Sequence, residues 1–88
     1  MEKLNVIVGS KFGLHARPAS MVVSTANKFT SNITLRKKDR VVNAKSIMGV
    51  LSIAAAKGDE LEVVVEGQDE VEAVIALENL FKNQLPKE

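Results

Sequence analysis

No cysteine and only one histidine occur among the 88 residues, so neither a disulfide framework nor a thiolate or multi-histidine metal site is available to hold this chain together. The fold has to come from apolar packing, in a chain so short that it buries only roughly 60 to 65 per cent of the surface it exposes unfolded. That length accommodates one economical core, and hence a single domain over residues 1–88. An apolar fraction of 45 % beside a charged fraction of 26 % is ordinary for a folded domain and argues against wholesale disorder.

The apolar residues switch between two periods along the chain. Leu4, Val6 and Val8 alternate with Lys3, Asn5 and the exception Ile7, which predicts a strand closed by Gly9. Ser10 to His15, with Gly13 inside it and few core-type side chains beyond Phe12 and Leu14, predicts a loop. From Ala16 a helical pattern begins: Pro18 is tolerated only in a first turn, and Ala19, Val22, Val23 and Ala26 follow at helical spacing, with Asn27 or Lys28 ending the helix. Ile33 and Leu35, then Val41 and Val42, flank the charged run Arg36-Lys37-Lys38-Asp39-Arg40, the pattern of two strands joined by a solvated hairpin turn. Ser46, a favoured N-cap, precedes Ile47, Met48, Val50 and Leu51 and predicts a short helix that Gly49 weakens. Leu61, Val63 and Val65 alternate into a further strand that Gly67 ends. Asp69 with Glu72 has the spacing of an acidic capping box, ahead of a helical stripe of Val71, Val74, Ile75, Leu77, Leu80 and Phe81. The order is strand, helix, strand, strand, helix, strand, helix, which suits an α+β layer with helices on one face of a small sheet and solvent on the other.

Twelve basic residues against eleven acidic ones leave a formal charge of +1, so no global field gathers nucleic acid or acidic membranes. The first residues lack the apolar segment and cleavage pattern of a secretory signal, and no apolar run approaches the ~20 residues that span a bilayer. A cytoplasmic protein without membrane insertion is the expectation.

The chemistry converges on His15. With a helix beginning at Ala16 or Arg17, this histidine sits at a helix mouth, where open backbone N–H groups and the positive end of the dipole favour an anion such as phosphate. Arg17 adds a planar fork of donors suited to phosphate oxygens. A cation in the first helical turn is unfavourable to the dipole, which makes a ligand-binding reason for Arg17 more plausible than a solvated side chain. A helix end and a neighbouring cation both favour a neutral, nucleophilic imidazole, and a phosphorylated ring nitrogen is also a good leaving group. Against this stands the plain alternative that a lone histidine before a helix is a cap or a surface residue. Ser46 likewise has an ordinary reading as an N-cap worth ~1 kcal/mol, and Ile47, Met48 and Leu51 one as simple core.

The string Gly13-Leu14-His15-Ala16-Arg17-Pro18-Ala19 resembles the phosphorylation site of the HPr family, the phosphocarriers of the phosphoenolpyruvate-dependent sugar phosphotransferase system. Asn43-Ala44-Lys45-Ser46-Ile47-Met48-Gly49-Val50 resembles that family's regulatory serine site, and length and element order agree from end to end. The resemblance implies a βαββαβα open-faced β-sandwich, a four-stranded antiparallel sheet with three helices on one face. It implies a carrier rather than an enzyme, needing no cofactor and no metal: enzyme I donates phosphoryl to Nδ1 of His15, and enzyme IIA domains of sugar transporters accept it. Arg17 then steadies the phosphoryl oxygens, and Ala16 and Pro18 shape the helix mouth. Ile47-Met48-Gly49 after Ser46 looks like the Gram-positive type of site, which an ATP-dependent HPr kinase/phosphorylase modifies and which acts with a transcription regulator in carbon catabolite repression. By the same resemblance Phe12, Ala16, Ile47, Met48 and Leu51 form a docking patch, for which an adaptable methionine and exposed apolar surface are suited.

One position departs from the family pattern. Phe12 stands where family members usually carry serine, threonine or asparagine, so the phosphoryl group has fewer side-chain donors, or the ring packs on a partner or on the first helix. Two rival readings are a paralogue in a nitrogen-related phosphotransfer chain, against which the segment from Ser46 to Gly49 argues, and a small RNA-binding module using the basic hairpin. With three aromatic residues, all phenylalanine, a stacking platform is poorly supported, and a solvated turn is the simpler account. A carrier that presents one face to several partners is most simply a monomer.

Overall fold

The computed structural model describes residues 1–88. It contains strands β1 (Glu2–Ile7), β2 (Asn32–Lys37), β3 (Arg40–Asn43) and β4 (Glu60–Glu66), and helices α1 (Ala16–Ala26), α2 (Ile47–Ser52) and α3 (Glu70–Asn79), in the order βαββαβα. The strands form one antiparallel sheet in the order β1-β4-β2-β3. This is the α+β architecture that the alternating periods and the resemblance implied.

Strand register explains the two faces. Leu4 pairs with Val63, Val63 with Leu35 and Leu35 with Val42, while Val6 pairs with Leu61 and Val65 with Ile33, so one apolar row after another crosses the sheet on the same side. With side chains alternating along each strand, Asn5, Glu62, Arg36 and Val41 come to lie in a row on the other side. Ile7, the break in the alternation of β1, is exposed there. The covered side holds one cluster of 20 buried apolar residues, drawn from the inner rows of β1, β2 and β4, from the helices and from the segments joining them, with Val42 of β3 packed partly buried against it.

The turn between β2 and β3 is tighter than the charged run predicts. Lys37 pairs with Arg40, which leaves only Lys38 and Asp39 as the connection, and Lys38 adopts φ +57, the hand that matches strand twist in a two-residue hairpin. Arg36 and Arg40 belong to the strands instead. Lys37 is paired to Asp59 at 3.0 Å and Arg36 to Glu62 at 3.3 Å, across the sheet and its adjoining loop.

The last helix corrects the sequence reading in three ways. Val71 and Ile75 are not core: they are 52 % and 59 % exposed, whereas Ala73, Leu77, Leu80 and Phe81 are buried. Apolar residues occupy nearly every position from Val71 to Leu77, so the pattern defines no unique face, and the sheet selects the side on which small Ala73 lets the backbone approach. After Asn79 the helix widens into a π-type turn over Leu80–Gln84 and closes with a 3₁₀ turn over Leu85–Lys87. That change of pitch carries Leu85 into the core.

The third correction concerns Asp69, whose side chain does not cap α3. Its carboxylate accepts hydrogen bonds from the backbone N–H groups of Thr30 and Ser31, each at 2.9 Å, and from the Ser31 hydroxyl. The start of α3 is secured by Glu70, whose carboxylate accepts from Gly67 N–H at 3.1 Å. The Ser31 hydroxyl, and after it the Thr30 amide, hold the Asp69 carboxyl well below its usual range, at about 2. A carboxylate depressed on folding stabilises the fold above its unfolded pKa of ~3.9 and loses that contribution as the pH falls through its folded value. Urea denaturation between pH 5 and pH 2 should therefore show the wild type losing stability below about pH 4 more steeply than Asp69→Asn. Equal slopes for the two chains would contradict this role.

Candidate functional site

The loop before α1 is built to hold one conformation. Ser10 is buried, its hydroxyl donates to Gly13 O at 2.7 Å, and Gly13 N–H donates back to Ser10 O at 3.1 Å. These bonds close a four-residue turn with Lys11 and Phe12 at its outer corners. Gly13 takes φ +74, and a Cβ built there would lie 2.3 Å from Ala55 O and 2.9 Å from Ala56 Cα. Only glycine fits so close to another backbone in this conformation. Leu14 follows, buried, with its N–H on Ala55 O at 2.9 Å.

The supporting loop is itself braced. Asp59 accepts from Ala56 N–H at 2.8 Å and from the Lys37 ammonium at 3.0 Å, and these two, the amide first, hold its carboxyl below the usual carboxylate range. Lys37 also donates to Ala54 O at 3.2 Å. The hairpin of β2 and β3 thus steadies the segment on which Gly13 and Leu14 rest.

His15 is the N-cap residue of α1, in extended conformation (φ −79, ψ −169), with no side-chain cap hydrogen bond. Its carbonyl accepts from Ala19 N–H at 2.9 Å, and its imidazole is exposed and free of hydrogen bonds within the chain. The N–H groups of Ala16 and Arg17 meet no acceptor in the chain, and Pro18, third in the helix, has none to offer. Two backbone donors and the positive helix end therefore stand open beside an unencumbered imidazole, an arrangement suited to an anion carried on the ring. Ala19, Val22 and Ala26 anchor the helix in the core beneath.

Arg17 is 75 % exposed and its Nε donates to Glu88 Oε1 at 2.5 Å. Glu88 also accepts from Lys11 N–H through its backbone oxygen at 3.3 Å, so it bridges the loop and the helix mouth. This contact was not foreseeable: a partner 71 positions away in sequence leaves no local signal at either end. Ser10 and Asp59 were also missed. Phe12 packs on neither the core nor α1; it is 72 % exposed, with its ring centroid 6.0 Å from that of His15.

The second motif behaves as its N-cap reading predicts. Ser46 is extended, its Oγ accepts from Gly49 N–H at 3.1 Å, and its carbonyl accepts from Val50 N–H at 2.9 Å. Val50 is buried, while Ile47, Met48 and Leu51 are exposed, Met48 to 75 %. The reading of those three as simple core therefore fails; they face outward on a helix that packs against α1, and Ala16 is exposed as well. Asn27 at the end of α1 donates to Lys45 O at 3.2 Å, which ties the two helices' ends together. No helix is long and apolar enough to cross a membrane.

Residues 3–83 match the protein family described as PTS HPr component phosphorylation site. Over 83 residues, 94 % of each chain, the sequence is 52 % identical to the phosphocarrier protein HPr of Treponema pallidum (strain Nichols). It is 51 % identical over 79 residues to the phosphocarrier protein HPr of Xylella fastidiosa (strain 9a5c), covering 90 % of this chain and 89 % of that one. The fold is similar to the crystal structure of HPr from Thermoanaerobacter tengcongensis, with a TM-score of 0.95 at 42 % identity, covering 100 % of this chain and 99 % of the other.

Proposed function

The chain belongs to the HPr family of phosphocarrier proteins, and from that premise we propose that it accepts a phosphoryl group from enzyme I on His15 and passes it to enzyme IIA domains of sugar transporters. The observation that carries this reading is the imidazole at the mouth of α1, exposed and free of hydrogen bonds beside two open backbone donors. In the transfer, the lone pair of the His15 Nδ1 atom attacks phosphorus, the N–P bond forms, and the donor's bond to phosphorus breaks. The same N–P bond breaks in turn when the acceptor attacks. The Ala16 and Arg17 amides receive phosphoryl oxygens, and the two Nη groups of Arg17 remain available to them while Nε stays on Glu88.

Donors that hold the group only modestly suit a carrier, because tight binding of the phosphoryl form would slow its departure. The chain acts as one domain, as a monomer and in the cytoplasm. Phe12, Ala16, Ile47, Met48 and Leu51 are the surface on which enzyme I and the IIA domains dock, since they are apolar, exposed and set on the loop and the two helices around His15. Loading from phosphoenolpyruvate through enzyme I, followed by unloading onto a IIA domain, is the test of the carrier reading.

Ser46 is the regulatory site, phosphorylated by an HPr kinase/phosphorylase and linked through a transcription regulator to carbon catabolite repression. A phosphate on its Oγ adds a charge of roughly −1.5 to −2 at a helix N-terminus, where it is tolerated without unfolding, and repels acidic partner surfaces. With ATP and an HPr kinase, one acid-stable phosphate should appear on the wild type and none on Ser46→Ala. A phosphate mapped to another residue, or no phosphate at all, removes the regulatory reading.

A further inference from the structure

We infer that Phe12 is a positioning residue that orients the His15 imidazole for phosphoryl transfer, a reading that rests on His15 as the acceptor.

The His15 ring lacks an orienting hydrogen bond. Histidines that act through one ring nitrogen are normally oriented by a hydrogen bond on the other, and the His15 side chain makes none. An exposed imidazole without such a partner has three staggered χ1 wells and a broad, roughly twofold χ2, and only one combination points a given nitrogen at an incoming phosphorus. Phe12 supplies the missing contact. The two rings lie 6.0 Å apart between centroids at an interplanar angle of 72°, the edge-to-face geometry in which the positive rim of one ring meets the negative face of another.

Phe12 is itself held. The Ser10–Gly13 turn places it at an outer corner, both hydrogen bonds of that turn are formed, and the residue that follows the turn is anchored by Leu14 N–H on Ala55 O. The Lys11 ammonium sits 5.5 Å from the centroid of the Phe12 ring, a cation–π contact. At 72 % exposure the phenyl ring contributes little to the core, and within the chain its ring meets the His15 imidazole and the Lys11 ammonium. A small polar residue at position 12 could donate a hydrogen bond to a phosphoryl oxygen; phenylalanine instead restrains the ring that carries the phosphoryl group.

The test compares Phe12→Leu, which keeps apolar bulk, with Phe12→Tyr, which keeps the ring. Initial rates of phosphate loading by enzyme I and phosphoenolpyruvate, measured over a range of chain concentrations, should show kcat lowered about three- to sixfold in Phe12→Leu, the loss expected when the imidazole samples all its wells, with KM little changed. Phe12→Tyr should restore kcat. In parallel, proton NMR of the unphosphorylated chain should show the His15 Hδ2 and Hε1 resonances displaced by the aromatic neighbour in the wild type and in Phe12→Tyr, and moved toward free-histidine positions in Phe12→Leu. A raised KM with unchanged kcat in Phe12→Leu would make Phe12 a docking contact only and overturn the inference, as would His15 resonances identical in all three chains. The NMR readout needs no enzyme I, so a wild type that takes no phosphate but shows the displaced resonances overturns the carrier reading and leaves the orienting role standing.

Discussion

Gly13→Ala is expected to cost about 3 to 5 kcal/mol of folding stability, out of the roughly 5 to 15 kcal/mol that a domain of this kind possesses. Two independent penalties meet at this position. At φ +74 any L side chain is strained, and the added Cβ would stand 2.3 Å from Ala55 O and 2.9 Å from Ala56 Cα. Both are backbone atoms, so no rotamer change relieves the overlap, and the loop from Ala54 to Asp59 is pinned by Lys37. Gly58 provides an internal control: it also has positive φ, +90, but nothing lies within 4 Å of a Cβ there. Gly58→Ala should therefore lose only the left-handed penalty of about 1 to 2 kcal/mol.

The two glycines also separate function from stability. Relief of the clash at Gly13 must move the loop, and with it Phe12, Leu14 and His15. A displacement of about 1 Å at a reacting group can cost on the order of a hundredfold in rate. Phosphate loading in Gly13→Ala should fall at least tenfold under conditions where the chain is still folded, whereas Gly58→Ala should load at the wild-type rate. Urea denaturation of both variants beside loading assays checks this, and a Gly13→Ala chain no worse than Gly58→Ala in stability would contradict the close-contact account.

Legibility in the sequence follows the range of the interactions involved. β4 and α1 were readable because Leu61, Val63 and Val65, or Ala19, Val22 and Ala26, each report burial through a period that a single element imposes. Ser46 was readable as a cap because its partner, Gly49, is three residues away. Asp69 misled for the same reason: the local rule offered it a capping role, but the Thr30 and Ser31 amides, more than thirty positions earlier, are the donors it meets. Val71 and Ile75 failed because a helix apolar on several sides leaves the choice of buried face to the sheet. At the site, His15, Arg17 and the helix mouth lie within one short string. The brace from Asp59 to Lys37 and the Glu88 contact join segments far apart in the chain, and no spacing encodes them.

His15→Ala is expected to abolish phosphate loading while leaving the fold intact. The His15 imidazole makes no hydrogen bond, and the bond from Ala19 N–H is accepted by the backbone carbonyl of His15, which alanine retains. An exposed side chain of this kind contributes to stability within about 0.5 kcal/mol, so loss of loading cannot be ascribed to unfolding. No other side chain in the chain can substitute, because this is the only histidine.

The most direct measurement is intact-mass analysis of the wild type and His15→Ala after incubation with phosphoenolpyruvate and enzyme I, before and after brief acid treatment. One phosphate is expected on the wild type, removed by acid, and none on the variant. A phosphate of equal yield on His15→Ala, or one on the wild type that survives acid, would contradict phosphoryl transfer through His15.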